Sequence, residues 1–403
     1  MAGNSRRSWA IVAGFAALAA LRGCAGDSSP DGPVPGGPAR AALLASVGPN
    51  VVLPSLEAVD GQLQGLKTTI EGWQDAIATA GDAAGARSQA QAAWGSAMEA
   101  WQVVEVLQFG PTGSSLSVHG GQDLRDGIYS WPSSLACRVD QEVVALEYGE
   151  PGFVAAQLPH ALGLDAVEYL LFRDDDGNDC DALAAINGGD WQALDPDEID
   201  RRRADYADVL VQDLVARSAA LLEAWSPGGG DFGAELGAAG QGSAVYDDDQ
   251  DALDDLFGGL FYLELMAKDR KLARPLGLRD CLDATCPDDL EHRWANFGAQ
   301  AIAANLRGFR LLFHGGDDGA DGFDDLLRAI DQGDLVEGIE QALDAAEAAA
   351  EAVQPGLNEA LADDPESVLA LHDAIKDLTD LLKGDFALFL TLRIPSEAAG
   401  DND

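Results

Sequence analysis

The sequence predicts an all-α protein built as two related four-helix halves, and three observations carry that prediction. Aromatic residues make up only 7% of the 403 residues, while Ala, Leu, Asp and Glu dominate and β-branched runs are scarce, a composition that favours helix over strand. Apolar residues recur at three- and four-residue steps, and no segment alternates apolar and polar for long. Four periodic stretches precede a Gly-rich joint and four follow it.

Taken in order, the opening MAGNSRRSWAIVAGFAALAALRGC sets Arg6 and Arg7 before an apolar stretch too short to span a bilayer. Residues 1–23 read as an export signal, with ordinary secretion preferred over the twin-arginine route that Ser5-Arg6-Arg7 also resembles. Leu21-Arg22-Gly23-Cys24 resembles a lipobox, which implies acylation of Cys24 and places the mature chain in a bacterial cell envelope, on the periplasmic face, lipid-anchored to the outer membrane. Residues 24–50, with GDSSPDGPVPGGPA, read as a flexible tether. An N-terminal helical bundle is expected over 51–225. Leu56, Leu63, Leu66, Ile70, Trp73 and Ile77 form one stripe, and Trp94, Met98, Trp101, Glu105 and Gln108 a second. A third helix is expected from about Gly152 to Phe172, and a fourth through Tyr206, Leu210, Leu214 and Leu221. The linker is set at 226–245, around Ser226-Pro227-Gly228-Gly229-Gly230. A C-terminal bundle over 246–395 then takes helices near 249–271, 290–313, 334–354 and 364–391, before a tail at 396–403.

The formal net charge is −44, and removing residues 1–23, which hold Arg6, Arg7, Arg22 and no acid, takes it to −47. Such a surface repels nucleic acid and anionic lipid, so nucleic-acid binding is excluded and the membrane is met only through the N-terminal lipid. Attraction of cations is the functional reading of that charge, and adaptation to a salty habitat or genomic bias is the plain one. With Cys24 acylated, four cysteines remain. The short Cys281/Cys286 loop is expected to close as one disulfide, leaving Cys137 with Cys180, and zinc binding is the alternative.

The chemistry-bearing feature is Ala161 to Phe172 (ALGLDAVEYLLF), where Asp165 and Glu168 interrupt an otherwise apolar stretch. On a helix they lie at i and i+3 and share a face. Buried carboxylates need a cation, a basic partner or a shifted pKa, because unpaired burial costs several kcal/mol or more. Glu105 is a third acid that faces inward by pattern.

GLDAVEYLLF also resembles the signature of the imelysin family, Gly-x-His-x-x-Glu followed by an apolar run. Gly163 and Glu168 match, and Asp165 stands in the histidine place. WGSAMEAWQVVEVLQFGP, which contains Trp101, is similar to the family's Trp and Glu helix, and Ser130-Trp131-Pro132 to its Ser-Trp-Pro loop. KLARPLG (Lys271 to Gly277) and EHRWANFGAQAIAANLRGFRLLFHGG (Glu291 to Gly316) resemble the later blocks, including Asn305, Arg307 and Gly308. The resemblance implies a pair of related helical bundles, a metal held by the signature, and either peptide hydrolysis or binding of a metal such as iron.

Asp165 removes the imidazole that a catalytic zinc site wants. Ligation by Glu105, Asp165 and Glu168 favours a hard divalent or trivalent ion, iron or calcium over zinc, bound directly or as part of a small ligand in a cleft between the bundles. His160 lies about 140° round from Asp165 on a continuous helix, and His119, His292, His314 and His372 reach the acids only through the tertiary fold. The alternatives are a peptidase working through carboxylate-held metal, and a scaffold in which Asp165 and Glu168 pair with Arg307 or Arg310. Asn305 reads equally as a core amide. Two acidic runs, Asp174–Asp179 and His314–Gly322, invite a calcium reading, but neither fits the EF-hand loop. Gly-x-Ser-x-Gly is absent.

Overall fold

The computed structural model describes residues 36–133, 135–317, 319–396 and 398. The export signal, Cys24 and most of the tail lie outside the described residues. Fifteen α-helices and several short 3₁₀ and π segments are present, and no strand occurs among the described residues. In chain order they are α1 (Gly37–Val47), α2 (Leu53–Ala78), α3 (Ala83–Val104), α4 (Ala136–Ala145), α5 (Phe153–Ala156), α6 (Gly163–Phe172), α7 (Pro196–Trp225) and α8 (Phe232–Gly237). There follow α9 (Asp249–Leu260), a π-helix (Leu263–Ala273), α10 (Gly298–His314), α11 (Phe323–Ala329), α12 (Gly333–Ala352), α13 (Leu357–Asp363), α14 (Pro365–Leu381) and α15 (Ala387–Leu390).

Helices α2, α3, α6 and α7 pack as one four-helix layer, and the π-helix, α10, α12 and α14 as another. The stripes read from the sequence are their buried faces: Leu63, Leu66, Ile70 and Trp73 on α2, and Val368, Leu371, Ile375 and Leu378 on α14. Aspartate side chains cap three of the helices: Asp82 accepts from Gly85 N–H for α3, Asp195 from Glu198 N–H for α7 and Asp248 from Asp251 N–H for α9. The two layers meet along α3 and α10. Gly308 makes that meeting possible, because a Cβ at this position would collide with the Val103 carbonyl.

Three boundaries differ from the sequence expectation. Residues 37–47, assigned to the tether, form α1, which buries Leu43, Leu44 and Val47 and packs on α8, α9 and α11. The apolar triplet outweighs the Gly and Pro that surround it. The expected helix from Gly152 to Phe172 is broken into α5, a 3₁₀ turn at Pro159–Ala161, and α6. The expected helix from 290 begins only at Gly298, and residues 291–296 are a run of turns.

Disulfides join Cys137 to Cys180 and Cys281 to Cys286. The acidic run Asp174–Asp179 is organised by a guanidinium. Arg203, 2% exposed, donates to the carbonyls of Arg173 (3.2 Å), Asp175 (2.9 Å) and Gly177 (3.1 Å). Its charge stands where a calcium reading would put the ion. Arg203→Met strands the carbonyls of Asp175 and Gly177, while that of Arg173 keeps Arg87, and is expected to lower unfolding stability by about 2 kcal/mol, read by urea denaturation, with no recovery on adding calcium.

Candidate functional site

Gly163 opens α6 at φ +80°, and a Cβ there would come within 2.8 Å of the Ile128 carbonyl. Only glycine tolerates both conditions. The N–H of Leu164 donates to that carbonyl at 2.9 Å, and Trp94 Nε1 donates to the Leu164 carbonyl at 3.0 Å. These contacts fix the start of α6 against the loop that carries Ser130, Trp131 and Pro132. Asp165 and Glu168 then face a cavity of about 150 Å³, walled also by Trp131, Tyr169, His292 and Trp294. That volume has room for roughly five waters.

Glu168 is 4% exposed, and both of its oxygens are engaged. Oε1 accepts from the N–H groups of Trp294 (3.2 Å) and Ala295 (3.1 Å), and Oε2 lies 2.8 Å from His292 Nδ1. His292 adopts φ +54°, a backbone conformation uncommon outside glycine, and its ring sits edge-on to Trp94 and Phe297. Burial alone would lower the imidazole pKa, but the Glu291 and Glu168 carboxylates raise it above its ordinary value. Nδ1–H of His292 faces Glu168, and Nε2 lies 3.3 Å from both the Tyr129 hydroxyl and the Gln102 amide nitrogen. Tyr129 in turn donates to Glu291 Oε1 at 2.5 Å.

Behind this pair lies a second buried cation. Lys271, fully buried, donates to Gln102 Oε1 and Asn305 Oδ1, each at 2.8 Å, and lies 2.9 Å from Glu291 Oε2 in an ion pair off hydrogen-bond angle. Burial lowers the Lys271 pKa from its ordinary value against the pull of Glu291. The Lys271 and His292 charges hold Glu291 below the usual carboxylate range in spite of its burial. Asn305 is a core amide, donating to the carbonyl and side chain of Gln102.

Glu105, expected as the third ligand, is buried but gripped by Arg125, whose Nε and Nη2 donate to its two oxygens at 3.0 and 2.8 Å. It forms no part of the cavity wall. Arg307 and Arg310, the arginines considered as partners for the two acids, pair instead with Glu99 and with Asp344 and Glu347. Trp101 is a buried core side chain of α3. His160 sits in the 3₁₀ turn with Nδ1 2.7 Å from the Ser133 carbonyl, so the angular estimate for a continuous helix does not apply to it.

The buried charges thus pair off as Glu168 with His292, Glu291 with Lys271, and Glu105 with Arg125, which leaves Asp140 of α4, held by the Tyr169 hydroxyl and the Asp179 N–H away from the cavity lining, and Asp165. Asp165 Oδ2 accepts from Ser130 N–H at 2.9 Å and Oγ–H at 3.3 Å, while Oδ1 accepts no hydrogen bond. Burial pushes the Asp165 carboxyl up to about 7, against the Ser130 N–H and the His292 charge. A catalytic zinc with three protein ligands does not fit this donor set, because Glu168 and His292 are spent on each other and Glu105 on Arg125. One open carboxylate oxygen beside a hydrated cavity suits a cation that keeps much of its own water.

The residues that sequence reasoning missed are the internal cations. His292 was noted only as distant, Lys271 only as part of a motif block, and Arg125 not at all. Lys271 sits in LELMAKDRKLA, where five of eleven residues are charged, so nothing local in the sequence singles it out.

An all-helical pair of layers with an acidic pocket at a Gly-x-x-x-x-Glu helix start defines a class, and the comparisons agree. The imelysin family model matches residues 61–383, and the chain belongs to the imelysin family. A crystal structure of an imelysin-like protein from Psychrobacter arcticum 273-4 superposes with a TM-score of 0.66 at 16% identity, covering 89% of this chain and 97% of that one. A second, described as a "putative iron-regulated protein A precursor" from Parabacteroides distasonis ATCC 8503, gives 0.64 at 16% identity, covering 86% and 93%. At that identity the likeness shows the fold alone. Among curated proteins no sequence matches.

Proposed function

We propose that this chain is an exported imelysin-type protein, lipid-anchored through Cys24 in a bacterial envelope, that captures a metal ion or a metal-bearing ligand on Asp165 and does not cleave peptides efficiently. The observation that carries this reading is the uncompensated charge at the cavity: of the five carboxylates buried near α6 and the 291–296 turns, Asp165 and Asp140 have no ion-pair partner among the described residues, and of these two only Asp165 lines the cavity. A cation arriving there replaces a proton that burial favours. Oxygen donors select hard ions such as Fe³⁺, Mn²⁺ or Ca²⁺ over Zn²⁺. The description of the Parabacteroides relative as iron-regulated supports trying iron first. The net charge of −47 on the chain without residues 1–23 concentrates cations near any such opening.

Isothermal titration of the purified exported chain with Mn²⁺, Ca²⁺, Zn²⁺ and ferric citrate tests the reading. One hard-ion site is expected in wild type, unchanged in Glu105→Gln and weakened about tenfold in Glu168→Gln, in which the His292 partner is lost. Absence of any such site, or chelator-sensitive cleavage of a denatured protein substrate, overturns it.

A further inference from the structure

A different cluster lies where α10 ends and α11 and α12 pass it. His314 closes α10 before the left-handed Gly315, Asp324 is in the first turn of α11, and Glu340 is on α12. One donor atom from each lies within 4.8 Å of the others, and no other trio of His, Cys, Asp or Glu among the described residues converges in this way.

Asp324 is 6% exposed and unevenly used. Its Oδ2 receives both His314 Nδ1, at 3.1 Å, and the Arg328 guanidinium, while Oδ1 is buried and accepts nothing. Other buried carboxylate oxygens, such as Asp140 Oδ1 and Glu142 Oε2, also lack a donor, but among the described residues only that of Asp324 belongs to a converging trio with an imidazole. Arg328 reaches across to Glu340 Oε1 at 3.2 Å, so its guanidinium bridges the two acids. Nearly half of the Arg328 side chain is exposed, which lets it swing into water. A cavity of about 380 Å³ beside His314, Gly316, Asp317 and Asp324 gives access from solvent.

We propose that His314, Asp324 and Glu340 form a second cation site, for a divalent transition-metal ion, with Arg328 as the built-in stand-in that the ion displaces. One imidazole and two carboxylates suit Zn²⁺, Co²⁺ or Ni²⁺ better than Ca²⁺, which prefers oxygen alone. The sequence offered the His314–Gly322 run as a calcium loop. The fold instead takes only His314 from that run and finds the two acids on the following helices. A bound ion ties α10, α11 and α12 together, so it stabilises the folded chain by mass action.

Co²⁺ titration of the exported chain, followed by visible absorption and by thermal shift, tests the proposal. Wild type is expected to bind one Co²⁺ with an imidazole-containing spectrum, displaced by Zn²⁺. His314→Ala and Glu340→Gln are expected to weaken that binding at least tenfold, and Arg328→Gln to tighten it about tenfold, since the competing cation is gone. Asp165→Asn leaves it unchanged, which separates this site from the pocket on α6. No Co²⁺ uptake by wild type and Arg328→Gln, equal affinity in His314→Ala, or unchanged or weaker binding in Arg328→Gln overturns the proposal.

Discussion

Asp165→Asn is expected to abolish cation capture in the α6 pocket and, in the absence of metal, to make the protein more stable at pH 8. The two effects share one cause. Burial raises the Asp165 carboxyl to about 7, so between the ordinary carboxylate range and about pH 7 the folded state holds a proton that the unfolded state has released. Stability contributed by this group therefore falls as pH rises through that window and levels off above it. A shift of about three units corresponds to roughly 4 kcal/mol at the upper limit, and water entering the cavity reduces the expected gain in the variant to about 2 kcal/mol. Asparagine keeps an oxygen to accept the Ser130 N–H, so packing is preserved. Urea unfolding of both proteins in chelator at pH 5, 6, 7 and 8 supplies the measurement. The difference should widen with pH and then plateau. A difference that is flat, or a variant that is destabilised at pH 8, would mean that Asp165 has an internal partner and is structural. A wild-type protein that also takes up hard ions more tightly at pH 8 than at pH 5.5 links the proton and the cation to the same oxygen.

Lys271→Met is expected to have the largest cost in stability, about 3–5 kcal/mol, because it strands a buried carboxylate. Lys271 satisfies Gln102, Asn305 and Glu291 at once, and those residues belong to α3, α10 and the turn that carries His292. Thermal and urea denaturation report the loss. The double variant Lys271→Met with Glu291→Gln removes the charge together with its partner and is expected to recover most of it. If the single variant loses less than about 1 kcal/mol, as exposed ion pairs do, the buried pairing described here does not hold.

Helical class and helix stripes were legible from periodicity, since a 3.6-residue repeat is a local property of the chain; the stretch 226–245, read as a linker from its Pro and Gly, holds helix α8. The same locality explains the misses. The break before α6 depends on the Ile128 carbonyl meeting Gly163, and α1 depends on α8, α9 and α11 offering a surface to Leu43, Leu44 and Val47. Neither contact is written near the residues that it shapes. Asp165 and Glu168 were identifiable because two acids in an apolar run demand a reason, and Glu105 drew attention by the same logic. Their roles diverged in three dimensions.

By itself, then, the sequence determined that this is an all-α chain with an acidic pair on one buried helix face, because composition and spacing fix what a single helix can bury. Only the tertiary structure decided which acids remain uncompensated. Arg125, Lys271 and His292 arrive from positions 20 to 124 residues away from the acids they pair with, and charge neutralisation acts over a few ångströms of space, with no regard to distance along the chain. The structure joins a cation to Glu105, Glu168 and Glu291, and leaves Asp165 alone beside the cavity.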